Sequence, residues 1–374
     1  MDICAANNHF AVDAFQEISR NAVGQNAVFS PLSIFSILSM VLMGTGGSTA
    51  AQIRKAIHFK DVKDVHVEYK NLWEMLEKKS DGHILINANR LFGQKSFELF
   101  LSFLENTKNL YGAGMEQLDF HNDSEKSRQF INNWISQKTN GKIQQLLPQQ
   151  SILPSTALVA VNTLYFAANW TKQFRESRTR EATFTLLSNE QVTVQMMTMT
   201  NYFKSKYIEN PGLKIVELPY GTKEDFSMVI MIPDNNVIFD KVNKMISYEN
   251  LNAWISSTDM KMANIALQLP RLKVEKKISL KETLKSMGII DAFNQVNANF
   301  SGMTNQHNMF MSEVYHQTSL EVNEQGTEAS SSTGAVMSFR SLPNDEIKAN
   351  RPFYVVIRHN HSNCILLYGV VNKP

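Results

Sequence analysis

A chain of 374 residues, 43% hydrophobic, 10% aromatic and 19% charged, has ample material for a sizeable core and is not a disordered polypeptide. Its 37 basic and 35 acidic residues leave a formal net charge of +2, which gives no ground for a nucleic-acid or anionic-membrane partner. No Pro/Gly/Ser linker divides the chain, and its one Ser-rich stretch, Ser330 to Ser332, lies near the C-terminus, so a single domain over 1–374 is expected.

The opening MDICAANNHFAVDAF places acidic and polar side chains where a secretory leader needs a basic start and an apolar run. As given, the chain reads as soluble and leaderless, either cytoplasmic or exported by another route. Its two cysteines, Cys4 and Cys364, make neither a disulfide framework nor a CxxC metal pair. Next, FSPLSIFSILSMVLMGTGGST carries helix punctuation: Ser30 as N-cap, Pro31 at the first helical position and Gly44 as the stop. This helix is apolar nearly all round and is expected to be buried. Its run IFSILSMVLM is too short to span a bilayer. Ser30, Ser33, Ser36 and Ser39 form a hydroxyl stripe at spacing three, suited to close packing or, more sharply, to a sliding contact. GTGGST, Gly44 to Thr49, follows a helix rather than a strand and lacks the Lys of a phosphate cradle, so it reads as a stop and turn.

Further along, a helix is expected from about Ser124 to Asn140, closed by Gly141. TALVAVNTLYF, Thr156 to Phe166, is a long β-rich apolar run suited to a central strand covered on both faces. FSMVIMIPD and IALQLPRLKV follow as further strands. The basic stretch RLKVEKKISLKETLK, Arg271 to Lys285, would suit a sulphated glycan, but Glu275 and Glu282 interrupt it and a solvated face explains it. The C-terminus reads as a hairpin, FYVVIRHN turning through His361, Ser362 and Asn363 into CILLYGVV. Sequons stand at Asn122, Asn169, Asn299 and Asn360. Helices dominate the first third and strands the last half, which defines an α+β fold.

No catalytic constellation emerges: there is no GxSxG elbow, HExxH, P-loop or CxxC. His359 and His361 sit close together, but surface polarity at a hairpin turn accounts for them without a metal. The informative stretch is EVNEQGTEASSSTGAVMSFRSLPNDEIKANRPF, Glu321 to Phe353. After Gly326 its residues are almost all small or hydroxylic, until Arg340 is followed at once by Ser341. Alternate side chains of a strand point to opposite faces. One set is Thr327, Ala329, Ser331, Thr333, Ala335 and Met337, all small but the last; the other contains Glu328. The segment is therefore soluble as a loop and chemically fit to become a strand.

At this point the sequence resembles the serpins over essentially its whole length. NAVFSPLSI, VNTLYFAANW, LPRLKVEKKISLKETLKSMGI, DAFNQVNANFSGM, SEVYHQTSLEVNEQGTEASSST, ANRPF and ILLYGVVNKP follow in the family's order. The resemblance implies three β-sheets, about eight or nine helices and an exposed reactive-centre loop near 325–350. It places Trp170, Arg271, Ser30, Ser33, Asn162 and His316 in the breach and shutter of the main sheet, with Glu324 pairing Arg271. It makes Glu324, Gly326, Thr327, Glu328 and Ala329 the loop hinge. Seventeen residues counted from Glu324 end on Arg340, so Arg340–Ser341 is the implied reactive bond.

Two departures from the family pattern stand out. Ala167-Ala168 replaces a frequent Lys-Gly, and Ser330 to Ser332 replace alanines while keeping every hinge side chain small. The implied activity is covalent 1:1 inhibition of a trypsin-like, arginine-specific serine protease by a monomer with no cofactor, no metal and no catalytic residue of its own. The alternative is a non-inhibitory member acting as a carrier, chaperone or storage protein.

Overall fold

The computed structural model describes residues 2–59, 64–77, 83–327, 343 and 345–374. The architecture is α+β, as expected, with nine α-helices among the described residues. The main sheet has six strands in the order Leu272–Ser279, Met311–Val322, Gly326–Thr327, Leu158–Asn169, His83–Gln94 and Met115–Leu118. Every residue of the central strand from Leu158 to Ala168 is buried. Cover on both faces is why its sequence is apolar on both sides of Asn162 and Thr163 rather than alternating.

Met311–Val322 runs parallel to this strand, paired from Met311 opposite Leu158 to Ser319 opposite Tyr165 with one register shift between Met311 and Glu313. Beyond Ser319 and Tyr165 the two strands part. Gly326 and Thr327 occupy the space between them, antiparallel to both neighbours. A Cβ at Gly326 would stand 2.0 Å from the Ala168 carbonyl oxygen, so only glycine fits this close approach.

Helix Pro31–Met43 forms where its punctuation places it. The Ser30 side chain accepts from the Ser33 N–H, Pro31 opens the first turn and Gly44 follows the last. Its residues from Pro31 to Leu42 are all buried, and it packs between the main sheet and the C-terminal strand Cys364–Val371. Gly44 to Gly46 of the GTGGST stretch form the expected stop and turn, while Gly47 to Thr49 already belong to the next helix, Gly47–Ala56. The later helix spans Ser124–Lys138, two residues short of the expected end.

The other strands form a second set, in the order Ala27–Phe29, Cys364–Val371, Phe353–His359, Phe226–Pro233, Leu213–Tyr220, Gln191–Ile208, Lys261–Pro270 and Asp345–Lys348. The long strand Gln191–Ile208 carries two sheets at once: Lys204 to Ile208 pair with Leu213–Tyr220, while Met196 to Ser205 pair with Lys261–Pro270. Arg180–Thr185 pairs with its first residues. The three sheets expected are therefore present, two of them continuous through one strand.

Several expectations need correction. IALQLPRLKV is two strands in different sheets, broken at Pro270 and Arg271, because proline lacks the N–H that would continue the ladder. His359 is buried, 5% exposed, with its ring against Phe226, while His361 is exposed and faces Asp225 at 3.3 Å. Of the sequon asparagines, Asn122 is exposed, whereas Asn169, Asn299 and Asn360 are partly buried. In the basic stretch, Lys273 pairs with Glu275 and Lys285 with Glu282, as a solvated face would.

The cysteines also depart from the expectation. Cys4, on helix Ile3–Arg20, and Cys364, opening the last strand, form a disulfide with a Cα–Cα separation of 4.8 Å across 360 residues of sequence. It ties the N-terminal helix to the last strand, and both residues are buried. A cross-link closing so long a loop is expected to stabilise by about 2–4 kcal/mol. Urea unfolding of wild type and Cys4→Ser should show that difference; identical midpoints with and without reductant would contradict it.

Candidate functional site

The seam between the two central strands holds a row of buried polar groups. Asn162 lies opposite His316 on one side and opposite Asn89 on the other. The serine stripe of helix Pro31–Met43 packs onto this row. Ser33 Oγ lies 3.1 Å from Asn162 Oδ1 and 3.3 Å from Asn89 Oδ1. Asn89 Nδ2 donates to Ser36 Oγ at 2.6 Å, and Ser36 shares a short hydrogen bond with Tyr69 OH. Ser39 turns back to its own helix, donating to Phe35 O at 2.8 Å. The stripe therefore divides: Ser33 and Ser36 bond to side chains of the row, Ser30 and Ser39 to backbone of their own helix.

His316 is fully buried and its bonding fixes its state. The Ser30 N–H donates to Nε2 at 3.0 Å, so that nitrogen carries no proton. Nδ1 then carries it and donates to Asn162 Oδ1 at 2.5 Å, while Thr318 Oγ1 lies 2.7 Å from Nε2. Burial pushes the imidazole down to about 3, against a weaker hydrogen-bonding effect from Asn162. Because the folded value lies below the unfolded one, the unfolded chain takes up the proton first. This contribution to stability is full above about pH 6.5 and declines as pH falls toward 3. Between pH 6.5 and pH 5 it amounts to about 2 kcal/mol. Urea titrations at pH 7.5 and 5.0 should show a smaller pH loss for His316→Gln than for wild type; equal losses would contradict the assignment.

Where the strands part, a second cluster holds the turn that leads to Gly326 and Thr327. Trp170 is buried, its Nε1–H donates to Asn323 O at 3.0 Å, and its ring stacks on Tyr220 with centroids 4.4 Å apart. Tyr220 OH and Thr327 Oγ1 share a hydrogen bond of 2.6 Å. Backbone bonds from Trp170 N to Gln325 O and from Phe174 N to Glu324 O fix the turn. The Glu324 side chain is 4% exposed, and Arg271 donates to it from Nε at 2.8 and 3.0 Å and from Nη2 at 2.7 Å. Thr179 Oγ1 donates to the same carboxylate at 2.5 Å. Burial pushes the Glu324 carboxyl up, but the bonds from Arg271 and Thr179 outweigh it and hold it below its ordinary range. Glu324 therefore stays ionised and anchors the turn before Gly326.

The structure thus gathers Ser30, Ser33, Asn162 and His316 in one cluster and Trp170, Arg271, Glu324, Gly326 and Thr327 in another. Glu328, Ala329, Arg340 and Ser341 lie outside the described residues. Asn89, Tyr69, Thr318, Tyr220 and Thr179 were not found by sequence reasoning. For Asn89 a signal existed: an amide in the middle of the β-rich run ILINANRLF has to find buried partners.

The comparisons agree with this geometry. The family model for serpins, serine protease inhibitors, matches residues 5–374. The chain is 38% identical to serpin B8 of Homo sapiens over 374 residues, covering 100% of both. It is 37% identical to the leukocyte elastase inhibitors of Equus caballus and Homo sapiens, covering 100% of this chain and 99% of theirs. Among solved structures, uncleaved ovalbumin matches with a TM-score of 0.93 at 30% identity, covering 100% of both chains. Maspin matches with a TM-score of 0.90 at 33% identity, covering 100% of this chain and 98% of that one. The chain belongs to the serpin family. It is a member of a family of serine protease inhibitors, not of enzymes.

Proposed function

We propose that this chain, as a single domain, is a suicide-substrate inhibitor of trypsin-like serine proteases, cleaved at Arg340–Ser341. The observation that carries the reading is the seating of Gly326 and Thr327 between the two central strands of the main sheet. A strand continuing from Thr327 would run down the seam between Met311–Val322 and Leu158–Asn169. The sequence that follows keeps small side chains on the face that Thr327 turns inward.

The protease's serine hydroxyl adds to the Arg340 carbonyl. Its proton passes through the protease's base to the Ser341 amine, the Arg340–Ser341 bond breaks, and Arg340 is left as an ester on the protease. The freed arm then enters the main sheet, a change of the loop-insertion type, and carries the attached protease with it before water reaches the ester. Insertion has to part strands that are bonded directly to each other from Met311 to Ser319. The polar row of Ser33, Asn89, Asn162 and His316 lies on that seam and would have to exchange partners as it opens. The experiment is a gel: mixed with trypsin, the protein should give an SDS-resistant complex. Clean cleavage without a complex would favour the carrier or storage reading.

A second reading concerns the target alone. Relatives at 37% identity are named for leukocyte elastase. That favours an elastase- or chymotrypsin-like protease acting at a neighbouring bond, of which the one after Phe339 is the candidate. Arg340 supports the trypsin-like reading, because an arginine satisfies the buried carboxylate of a trypsin-type specificity pocket and an apolar side chain does not.

The hinge anchor gives a further expectation. Glu324→Lys would set two cations against each other in a buried turn, costing about 1–3 kcal/mol once the 45% exposure of Arg271 is allowed for. The loosened opening should accept a neighbour's loop. Native gels after mild heating should show faster polymerisation of the variant; equal rates would reject the role assigned to the pair.

A further inference from the structure

Away from the main sheet, a cleft of about 430 Å3 opens between the turn 186–189, the connection 233–239 and residues 350–352. Arg351 lines it and is half-buried. Among the described residues, the hydrogen bonds of its guanidinium run to a neutral group: Nε and Nη2 both donate to Asn350 Oδ1, at 3.3 and 2.9 Å. The carboxylate lining the same cleft, Asp234, accepts from Tyr207 OH at 2.6 Å; its charge acts on Arg351, but among the described residues no ion pair joins the two. A half-buried cation whose fork is spent on one amide oxygen has capacity for an anion, and the planar fork matches a carboxylate. The rest of the lining is mixed: Thr185, Asn189 and Asn235 are polar, while Leu187, which is 39% exposed, Val237 and Phe239 form an apolar strip. Such a surface suits an apolar stem, and the volume is that of a small-molecule site.

We infer that this cleft binds a small amphipathic carboxylate, its head on Arg351 and its stem against Leu187, Val237 and Phe239. The inference does not depend on the inhibitory reading, because it concerns binding to the intact chain. Calorimetry with hexanoate, its neutral counterpart hexanamide and inorganic phosphate tests it. Hexanoate should bind saturably at one site per chain, and hexanamide roughly tenfold or more weakly, for want of the charged, bidentate contact. R351Q should bring hexanoate down to the hexanamide level, and R351K should fall between. L187D alters an exposed side chain, leaves the fold intact and should weaken hexanoate by setting a like charge beside it. Equal binding of hexanoate and hexanamide would overturn the proposal. So would phosphate binding as tightly as hexanoate, or full affinity retained in L187D.

Discussion

If the protein inhibits trypsin as proposed, Thr327→Arg is expected to turn it into a substrate. Thr327 is fully buried, paired with Ala168 and Val322, and its hydroxyl meets Tyr220. An arginine there puts an unpaired charge into the sheet, a cost of several kcal/mol that the chain avoids by expelling the hinge. Because Thr327 is already paired at this position, the substitution acts on the intact fold as well as on the proposed insertion. The Tyr220 hydroxyl loses its partner and thermal stability should drop alongside inhibition. Insertion would start late, water would reach the ester first, and the moles of protein consumed per mole of trypsin blocked should rise several-fold. An unchanged count would contradict the insertion mechanism for this chain.

Arg340→Leu is expected to lose trypsin and gain a chymotrypsin- or elastase-like target, with hinge and sheet untouched. Leaving the protease's specificity carboxylate unpaired costs several kcal/mol, roughly a thousandfold or more in association rate if fully expressed in the transition state. Second-order inhibition rates against trypsin, chymotrypsin and elastase read the change directly. A variant that inhibits trypsin as fast as wild type would place the reactive bond elsewhere, in favour of the second reading of the target.

The parts of this molecule legible in the sequence are those governed by local rules. Helix Pro31–Met43 was marked by Ser30, Pro31 and Gly44, the central strand by its long β-rich, mostly apolar run, and the C-terminal hairpin by two β-rich runs around a polar turn. What local rules do not encode is which residue lies across a strand boundary. Asn89 and Asn162 are neighbours only because His83–Gln94 and Leu158–Asn169 pair in that register. Tyr220 reaches Thr327 across 107 positions, and Cys4 meets Cys364 across 360. The family resemblance brought Trp170, Arg271, Glu324 and His316 to notice, and the structure supplied the partners that give them a physical role. It also showed Gly326 and Thr327 seated in the sheet, where a glycine at 326 lets the backbone lie against Ala168.

The most direct measurement is mass spectrometry of the products formed when the intact protein meets trypsin. The account predicts one released peptide, beginning at Ser341 and ending at Pro374, with the remainder of the chain held in a covalent 1:1 complex with the protease. A peptide beginning at Arg340 would contradict the assignment of the reactive bond, and free cleaved chain with fully active trypsin would contradict the inhibitory mechanism itself.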